Sequence, residues 1–254
     1  SVLPGDPETP TTIASPIAPT QTQRGVDQVS DDGRRIIWRT GASPQALYLR
    51  EDGRTTLPIS ASRAAANPGA LAAANFLAAS RDGAVVYFHS TTGRLTDDAT
   101  GGGYYRWDRD GDRMTRIVGS LSSPLLGRAS DDGSRLYFVA TARLTPDAGT
   151  GRNIYLWEEG EQLRLVATTS GITLPPEDPI VVITPDGRYA YFTSDNAHAP
   201  GVASGVTAIY RYDAETDEIR CVSCRADGGI VTRRSTFRPA QVKYARTIAA
   251  RLQQ

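Results

Sequence analysis

The sequence contains two cysteines, Cys221 and Cys224, at a spacing that occurs in zinc sites, redox centres and local disulfides. Zinc needs four ligands, and the two histidines, His89 and His198, stand in other segments with no spacing that brings them to the cysteines. A redox pair is expected at the start of a helix, whereas Cys221 ends a strand-like pattern. On a straight strand the two cysteines are about 10 Å apart, so a bridge requires a turn at residues 222–223. We expect this structural disulfide, with two free thiols as the alternative and no metal or cofactor.

Alternating carboxylates at Asp108, Asp110 and Asp112 are the second candidate for chemistry, because calcium takes oxygen ligands at alternate loop positions. The EF-hand pattern needs glycine at position six and glutamate at twelve, but here Gly111 stands at position four and Gly119 at twelve. Acidic residues occur at the same place in the other repeated segments described below. We therefore expect solvated acidic turns rather than a calcium site.

Two similar loops carry Asp97, Asp98 and Asp147, and the longest loop carries His198. Loops on a rigid scaffold are where binding residues concentrate, so these four residues are the candidate binding residues. The alternatives are local capping and solvation for the aspartates, and a mobile loop for His198. The sequence has no Gly-x-Ser-x-Gly elbow and no Gly-rich phosphate-binding loop, so no catalytic residue is assigned.

The elements that must position these loops repeat four times. Each repeat opens with Ser/Thr-x-Asp-Gly at intervals of 50, 50 and 54 residues, starting at Ser30, Ser80, Ser130 and Thr184. An aromatic strand follows each turn, and then a second strand with a recurring tyrosine, at Tyr48, Tyr105, Tyr155 and Tyr210. An acidic turn leads to a third strand, and a shorter strand precedes each Asp-Gly turn.

Four strands per repeat of about 50 residues predict an all-β fold, a β-propeller of four-stranded blades. Residues 29–228 supply four blades, at about 29–78, 79–128, 129–182 and 183–228. Residues 1–28 are rich in proline and threonine and are expected to form an extended arm, while residues 229–254 are expected to form a closing strand or a short helix. The two ends together are as long as one blade, so a fifth blade closed by both termini is one alternative. Completion of the ring by further sequence or another chain is the other.

These repeats resemble the WD40-like (PD40) repeat of TolB-type propellers, in the Ser-x-Asp-Gly turn, the aromatic strand, the Leu/Ile-Tyr pair and the acidic turn. The loops at residues 94–101 and 143–151 also resemble the inter-strand loop of that family. The resemblance covers about residues 29–228 and implies an extracytoplasmic location, secreted or periplasmic. It is specific for fold and not for function, because such propellers serve as docking platforms, peptidase gates and lyase scaffolds.

The amino-acid composition bears on which classes of partner are expected. The chain carries 28 basic and 28 acidic side chains, which argues against the basic excess of a nucleic-acid-binding protein. No apolar run approaches the roughly 18 residues of a transmembrane helix.

The sequence therefore favours a non-enzymatic interaction module that displays loops to a protein or cell-surface ligand. The alternatives are a carbohydrate-active glycosidase or lyase with carboxylates at the channel mouth, and a structural repeat protein that self-assembles through an incomplete ring.

Overall fold

The computed structural model describes residues 28–41, 43–120, 122, 124–169, 181–203 and 205–224. These residues contain strands and turns, with no helix among them that is long and apolar enough to cross a membrane. They fall into two compact units divided between Ser123 and Pro124. The expected arm, the expected closing strand or helix, and the expected fifth blade depend on residues 1–27 and 225–254, which lie outside the described residues.

Each unit contains two antiparallel sheets. The first unit contains β1 (Arg35–Arg39), β2 (Leu47–Glu51), β3 (Thr55–Pro58), β4 (Asn75–Ala79), β5 (Val85–Ser90), β6 (Gly103–Asp108) and β7 (Arg113–Gly119). The second contains β8 (Leu126–Ala129), β9 (Arg135–Ala140), β10 (Arg152–Glu158), β11 (Arg164–Thr169), β12 (Val181–Ile183), β13 (Tyr189–Ser194), β14 (Ala208–Asp213) and β15 (Glu218–Cys221).

Every sheet is a meander in which each strand pairs with its neighbours in sequence. Strands β4–β7, β8–β11 and β12–β15 form blades 2, 3 and 4, and β1–β3 form blade 1. The edge of β1 in blade 1 is bridged by Val29, which pairs with Ile36. These four sheets, which pack through their faces in pairs within each unit, confirm the all-β propeller fold with about four blades.

The blades pack face to face within each unit because their strands are apolar on both faces. In the first unit, Ile37 and Leu49 of blade 1 share a core with Val86, Phe88 and Trp107 of blade 2. The second unit has the same arrangement, with Tyr137, Val139, Ile154 and Leu156 of blade 3 packed with Ala190, Phe192, Tyr210 and Tyr212 of blade 4. Burying each large apolar side chain stabilises the fold by about 1.5–3 kcal/mol, so these shared faces hold the blades together.

A cross-strand aromatic pair recurs in every blade. We number four strand positions in each blade and count β1 of blade 1 as its second position. The pair joins an aromatic residue at the second position to the tyrosine at the third, with ring centroids 5.0–5.6 Å apart. The pairs are Trp38–Tyr48, Phe88–Tyr105, Phe138–Tyr155 and Phe192–Tyr210. Such pairs contribute about 0.5–1.5 kcal/mol beyond their buried area, which explains why both positions keep aromatic residues in all four repeats.

The Ser/Thr-x-Asp-Gly turn has one hydrogen-bonding pattern in all four blades. In blade 3, the Ser130 hydroxyl donates to Asp132 at 2.6 Å and accepts the Arg135 N–H at 3.0 Å. Asp132 also accepts the Ser134 N–H at 3.0 Å, and the Gly133 N–H donates to the Ser130 carbonyl at 3.0 Å. The turn therefore satisfies its own polar groups, as a short segment between two buried strands must.

The same turns join neighbouring blades. The N–H of Asp31 donates to the carbonyl of Arg81 in the next blade at 3.1 Å, and Arg35 donates to the carbonyl of Asp82 at 2.9 Å. In the second unit, Asp131 and Arg135 bond in the same way to the carbonyls of Pro185 and Asp186.

Each of these arginines also pairs with a half-buried glutamate, Arg35 with Glu51 at 3.0 Å and Arg135 with Glu158 at 2.7 Å. Glu51 accepts a further bond from Arg109 of blade 2 at 2.8 Å, so this ion pair links the two blades.

We expect Gly187→Ala to destabilise the protein more than Gly33→Ala. Both glycines have positive φ, +67° and +70°, so alanine costs about 1–2 kcal/mol at either position. At Gly187 the new Cβ would also lie 3.0 Å from the Cβ of Ser130 and 3.1 Å from that of Arg135, which adds about 1–3 kcal/mol of overpacking. At Gly33 nothing lies within 4 Å. Urea unfolding of the two variants measures the difference, and equal losses would contradict close contact between blades 3 and 4.

Acid is expected to destabilise the turns. Partial burial alone would raise the pKa of Asp186, but hydrogen bonds from the Thr184 hydroxyl and the Arg188 N–H outweigh it and leave the pKa lowered. A carboxyl with a lowered folded-state pKa stabilises the protein above its unfolded pKa, and this stability is lost as the pH falls through the folded value. Unfolding free energy measured from about pH 5 to pH 2 should therefore fall, and Asp186→Asn should fall less steeply over the same range. Parallel curves for the two proteins would contradict the prediction.

Candidate functional site

The loops that carry the candidate residues join the second and third strand positions of each blade, and we call them the middle loops. They comprise residues 40–46, 91–102, 141–151 and 195–207. In an antiparallel meander, consecutive connections alternate between the two ends of the sheet. Each middle loop therefore lies at the end of its own sheet opposite to the Ser/Thr-x-Asp-Gly turn. That end is the candidate functional site of each blade.

Two middle loops share the same local turn. The Ala99 N–H donates to the Thr96 carbonyl at 3.1 Å, and the Ala148 N–H donates to the Thr145 carbonyl at 3.2 Å. Both alanines are buried and hold the turns against their blades. The residues between the bonded groups are at the tips of the turns. These tip residues are Asp97 and Asp98 in blade 2 and Pro146 and Asp147 in blade 3, and all four are exposed.

A buried tyrosine hydroxyl anchors the backbone of each long middle loop. In blade 3, Tyr155 donates to the Ala142 carbonyl at 2.7 Å and accepts the Leu144 N–H at 2.9 Å. In blade 4, Tyr210 donates to the Asn196 carbonyl at 3.0 Å and accepts the His198 N–H at 3.4 Å.

Blade 2 uses Tyr105 in the same way. Its hydroxyl donates to the Gly101 carbonyl at 3.2 Å and bonds to the backbone of Leu95. Burial raises the pKa of all three tyrosines, so each hydroxyl remains protonated and keeps both bonds near neutral pH.

Asp97 connects the middle loop of blade 2 to the segment that precedes this blade. One carboxylate oxygen of Asp97 accepts the Ala65 N–H at 2.8 Å. The same segment donates from the Ser62 hydroxyl to the Arg94 carbonyl at 2.7 Å and from the Arg63 N–H to the Leu95 carbonyl at 2.9 Å. Residues 59–74 and the middle loop of blade 2 therefore form one hydrogen-bonded surface.

Arginines bind backbone carbonyls at or next to the other two aspartates. The carbonyl of Asp98 accepts a bond from Arg116 at 3.1 Å. Next to Asp147, the Ala148 carbonyl accepts a bond from Arg143 at 2.6 Å. Asp97 and Asp98 belong to the first unit, and Asp147 belongs to the second.

His198 is packed into the middle loop of blade 4 rather than presented to solvent. Its Nε2 lies 2.9 Å from the Ser194 hydroxyl. Its ring makes edge contacts with Phe192 and Tyr210 at centroid distances of 5.8 and 5.2 Å. Burial lowers the pKa of His198 in spite of its bond to the Thr168 backbone and the nearby Asp195. The imidazole is therefore neutral near pH 7 and acts as part of the loop's packing.

Cys221 and Cys224 form a disulfide, with their Cα atoms 5.5 Å apart. The chain turns between them, and the Val222 N–H still donates to the Ile209 carbonyl at 2.9 Å. The Ser223 hydroxyl accepts the Ile209 N–H at 2.9 Å. This turn closes the distance that a straight strand would leave, and the bridge ends the outer strand of blade 4.

The three alternating carboxylates of blade 2 point to arginines rather than to one another. Asp108 pairs with Arg106 at 3.2 Å, Asp110 pairs with Arg109 at 3.0 Å, and Asp112 pairs with Arg63. Within the described part of the chain, no group of three or more His, Cys, Asp or Glu side chains is placed to hold a metal ion.

Sequence reasoning alone does not find the role of the tyrosine hydroxyls or of residues 59–74. The recurrence of tyrosine at one repeat position is visible in the sequence and is a sufficient signal for a structural role. The partners of each hydroxyl are backbone groups of a loop, however, and backbone groups leave no pattern in side-chain types.

No protein-family model and no curated protein sequence matches the chain. Among solved structures, it aligns with TolB from Acinetobacter baumannii at 15% identity and a TM-score of 0.43, covering 75% of this chain and 41% of that chain. With a TolB protein of Agrobacterium tumefaciens the identity is 17% and the TM-score 0.45, with coverage of 76% and 62%. With the tricorn protease the values are 10% and 0.42, with coverage of 77% and 22%.

The chain thus spans less than two thirds of each of these proteins. Two of them are TolB proteins, the family that the repeat motifs resemble. The fold class itself follows from the strand order and blade packing described above.

We expect Tyr155→Phe to loosen the middle loop of blade 3. The change keeps the ring but removes the acceptor of the Leu144 N–H and the donor to Ala142, which costs about 1–3 kcal/mol. Hydrogen exchange at Leu144 should become faster. The matched control is Tyr137→Phe, which removes a hydroxyl bonded to the Gly187 carbonyl at the other end of the sheet. Faster exchange at Leu144 in both variants would point to general destabilisation and contradict a specific anchor.

Proposed function

We propose that this protein is a non-enzymatic, extracytoplasmic interaction module whose middle loops are displayed to a protein or cell-surface ligand. The observation that carries the proposal is the anchoring of three middle loops by buried tyrosine hydroxyls, Tyr105, Tyr155 and Tyr210. The backbone of each loop is tied down, while polar side chains at the turn tips remain exposed. Such a surface is ordered before a partner arrives.

Order in the unbound loops supports binding because association otherwise costs free energy to immobilise them. Each side chain or loop that is ordered in advance removes part of that cost. The exposed tips at Asp97, Asp98 and Asp147 supply carboxylate acceptors, and Arg94 and Arg143 are exposed beside them. This mixture of charges suits hydrogen bonding to a polar surface.

The pairing of Cys221 with Cys224 supports a location outside the cytoplasm. Disulfides persist in oxidising compartments and are rare in the reducing cytoplasm. We propose this extracytoplasmic location together with the binding role.

The environment of Asp97 favours binding over hydrolysis. A glycosidase needs two carboxylates that face each other across the scissile bond, about 5–10 Å apart. Asp97 instead uses a carboxylate oxygen to cap the Ala65 N–H. A capping carboxylate holds the surface in shape and is not poised as a general acid or nucleophile.

The combined variant Asp97→Asn, Asp98→Asn and Asp147→Asn tests the proposal. Asparagine keeps the size and an acceptor oxygen, so the turns should stay folded while the charges are lost. A charge-assisted hydrogen bond contributes about 1.5–3 kcal/mol, so loss of even one lowers affinity about tenfold or more. The measurement is capture of a partner from the extracytoplasmic fraction by the immobilised full chain, with affinity then determined on the purified partner.

The matched control removes three exposed acidic charges at the other ends of the sheets, with Asp110→Asn, Glu159→Gln and Glu215→Gln. This control should bind as the unchanged protein does. Equal binding by both variants would contradict a role for the middle loops. Turnover of a polysaccharide that the first variant abolishes would instead establish the enzymatic alternative, and a solution mass well above 27.3 kDa would indicate self-assembly.

A further inference from the structure

Asp-Gly pairs are open to a rearrangement of the backbone, because glycine has no side chain to shield its N–H. The glycine nitrogen attacks the carboxyl carbon of the protonated aspartate. A C–N bond forms, a C–O bond breaks and water leaves, which closes a five-membered succinimide ring. Water then adds to either ring carbonyl and gives aspartate or isoaspartate, in which the backbone runs through the side-chain carbon. The reaction needs no oxidant, reductant or further reactant.

The fold places the Asp-Gly pairs of this chain in different environments. The attack requires a glycine nitrogen that is free and an aspartate carboxyl that can rotate onto it, so hydrogen bonds to either group slow the reaction. The described residues contain six such pairs, at residues 32–33, 52–53, 82–83, 110–111, 132–133 and 186–187.

The four Ser/Thr-x-Asp-Gly turns hold both reacting groups. In each turn the glycine N–H donates to the carbonyl of the Ser or Thr three residues earlier, at 2.8–3.0 Å. One oxygen of each aspartate accepts the hydroxyl of that Ser or Thr at 2.5–2.6 Å and the N–H two residues further on at 2.9–3.0 Å. Ring closure has to break these bonds, so the turns are protected against the rearrangement.

An ion pair restrains the fifth pair, Asp52–Gly53. Arg34 donates two hydrogen bonds to the Asp52 carboxylate, at 2.6 and 2.8 Å. These bonds lower the pKa of Asp52, so less of the protonated carboxyl that reacts is present at a given pH.

Asp110–Gly111 lacks both kinds of restraint. The Asp110 side chain is 75% exposed, and its one bond within the described part of the chain is to Arg109 at 3.0 Å. Arg109 is shared with Glu51, which it contacts at 2.8 Å. Among the described residues, no group accepts the Gly111 N–H, and no atom lies within 4 Å of the place where a Cβ would stand.

We propose that Asp110 is a modification site, where the folded protein converts aspartate to isoaspartate while the four Ser/Thr-x-Asp-Gly turns resist the same reaction. The site lies in the turn between β6 and β7 of blade 2. Isomerisation inserts one carbon atom into the backbone between Asp110 and Gly111. This inference does not depend on a binding role for the middle loops.

The inserted atom lies beside a contact that joins two parts of the first unit. Asp112, in the same turn, accepts the Trp107 indole N–H at 2.8 Å and pairs with Arg63. Arg63 belongs to residues 59–74, which are bonded to the middle loop of blade 2. Isomerisation at Asp110 therefore changes the turn that holds this segment against the blade.

Incubation of the folded full chain in mildly acidic buffer tests the proposal, because acid supplies the protonated carboxyl. Electron-transfer fragmentation of the digested protein distinguishes isoaspartate from aspartate in each peptide, and a digest of unincubated protein gives the background. Isoaspartate should form at Asp110 at least about tenfold faster than at Asp32, Asp132 or Asp186, because each of these must first break a charge-assisted hydrogen bond. Equal rates at these four positions would overturn the proposal.

Two variants and an unfolded sample show whether the hydrogen bonds are the cause. Asp110→Glu keeps the charge but cannot close a five-membered ring, so the signal at this turn should disappear. Ser130→Ala removes the hydroxyl that binds Asp132 and should raise the rate at Asp132 but not at Asp110. In guanidinium chloride all the pairs should react at comparable rates. Isoaspartate at Asp110 in the unfolded sample alone, or an unchanged rate at Asp132 in Ser130→Ala, would overturn the proposal.

Discussion

The packing of one blade face against the next is the interaction on which the rest of the structure depends. Each blade is a thin antiparallel sheet with apolar residues on both faces, and such a sheet leaves one face in water unless another layer covers it. The shared core of Leu49 with Phe88 and Trp107 in the first unit, and of Val139 with Phe192 and Tyr210 in the second, meets this requirement. Because the faces approach closely, the turns of neighbouring blades also come together. Position 187 accommodates glycine, since a Cβ there would contact Ser130 and Arg135.

This packing also separates the two ends of each sheet by role. At one end, Ser/Thr-x-Asp-Gly turns are committed to hydrogen bonds within the turn and to the neighbouring blade, so their sequence varies little. At the other end, the middle loops are held by the tyrosine hydroxyl, by backbone bonds and by a few side-chain bonds such as that of Asp97 to the Ala65 N–H. Their tip residues can change without disturbing the core. The end where side chains at the turn tips are free of the blade cores is therefore the end on which a binding function is proposed.

Blade 1 departs from the repeat on one of its faces. It keeps the aromatic pair, Trp38 and Tyr48, but places Arg50 where later blades have tryptophan or tyrosine. Ile36 on the same face is 46% exposed, whereas its counterparts Val86 and Ala190 are buried.

The sequence by itself determined the strands, the turns and the propeller class, because these depend on local chemistry repeated four times. Apolar residues on both faces of a strand, glycine at positive φ and the Ser–Asp bond all lie within a few residues of one another. Tertiary structure decided which groups the loops bond to, such as Leu144 to Tyr155 and Ala65 to Asp97. It also turned the chain between Cys221 and Cys224 and left Ile36 exposed. These features depend on backbone groups, and on residues distant in the chain, whose meeting is set by how sheets pack rather than by residue type.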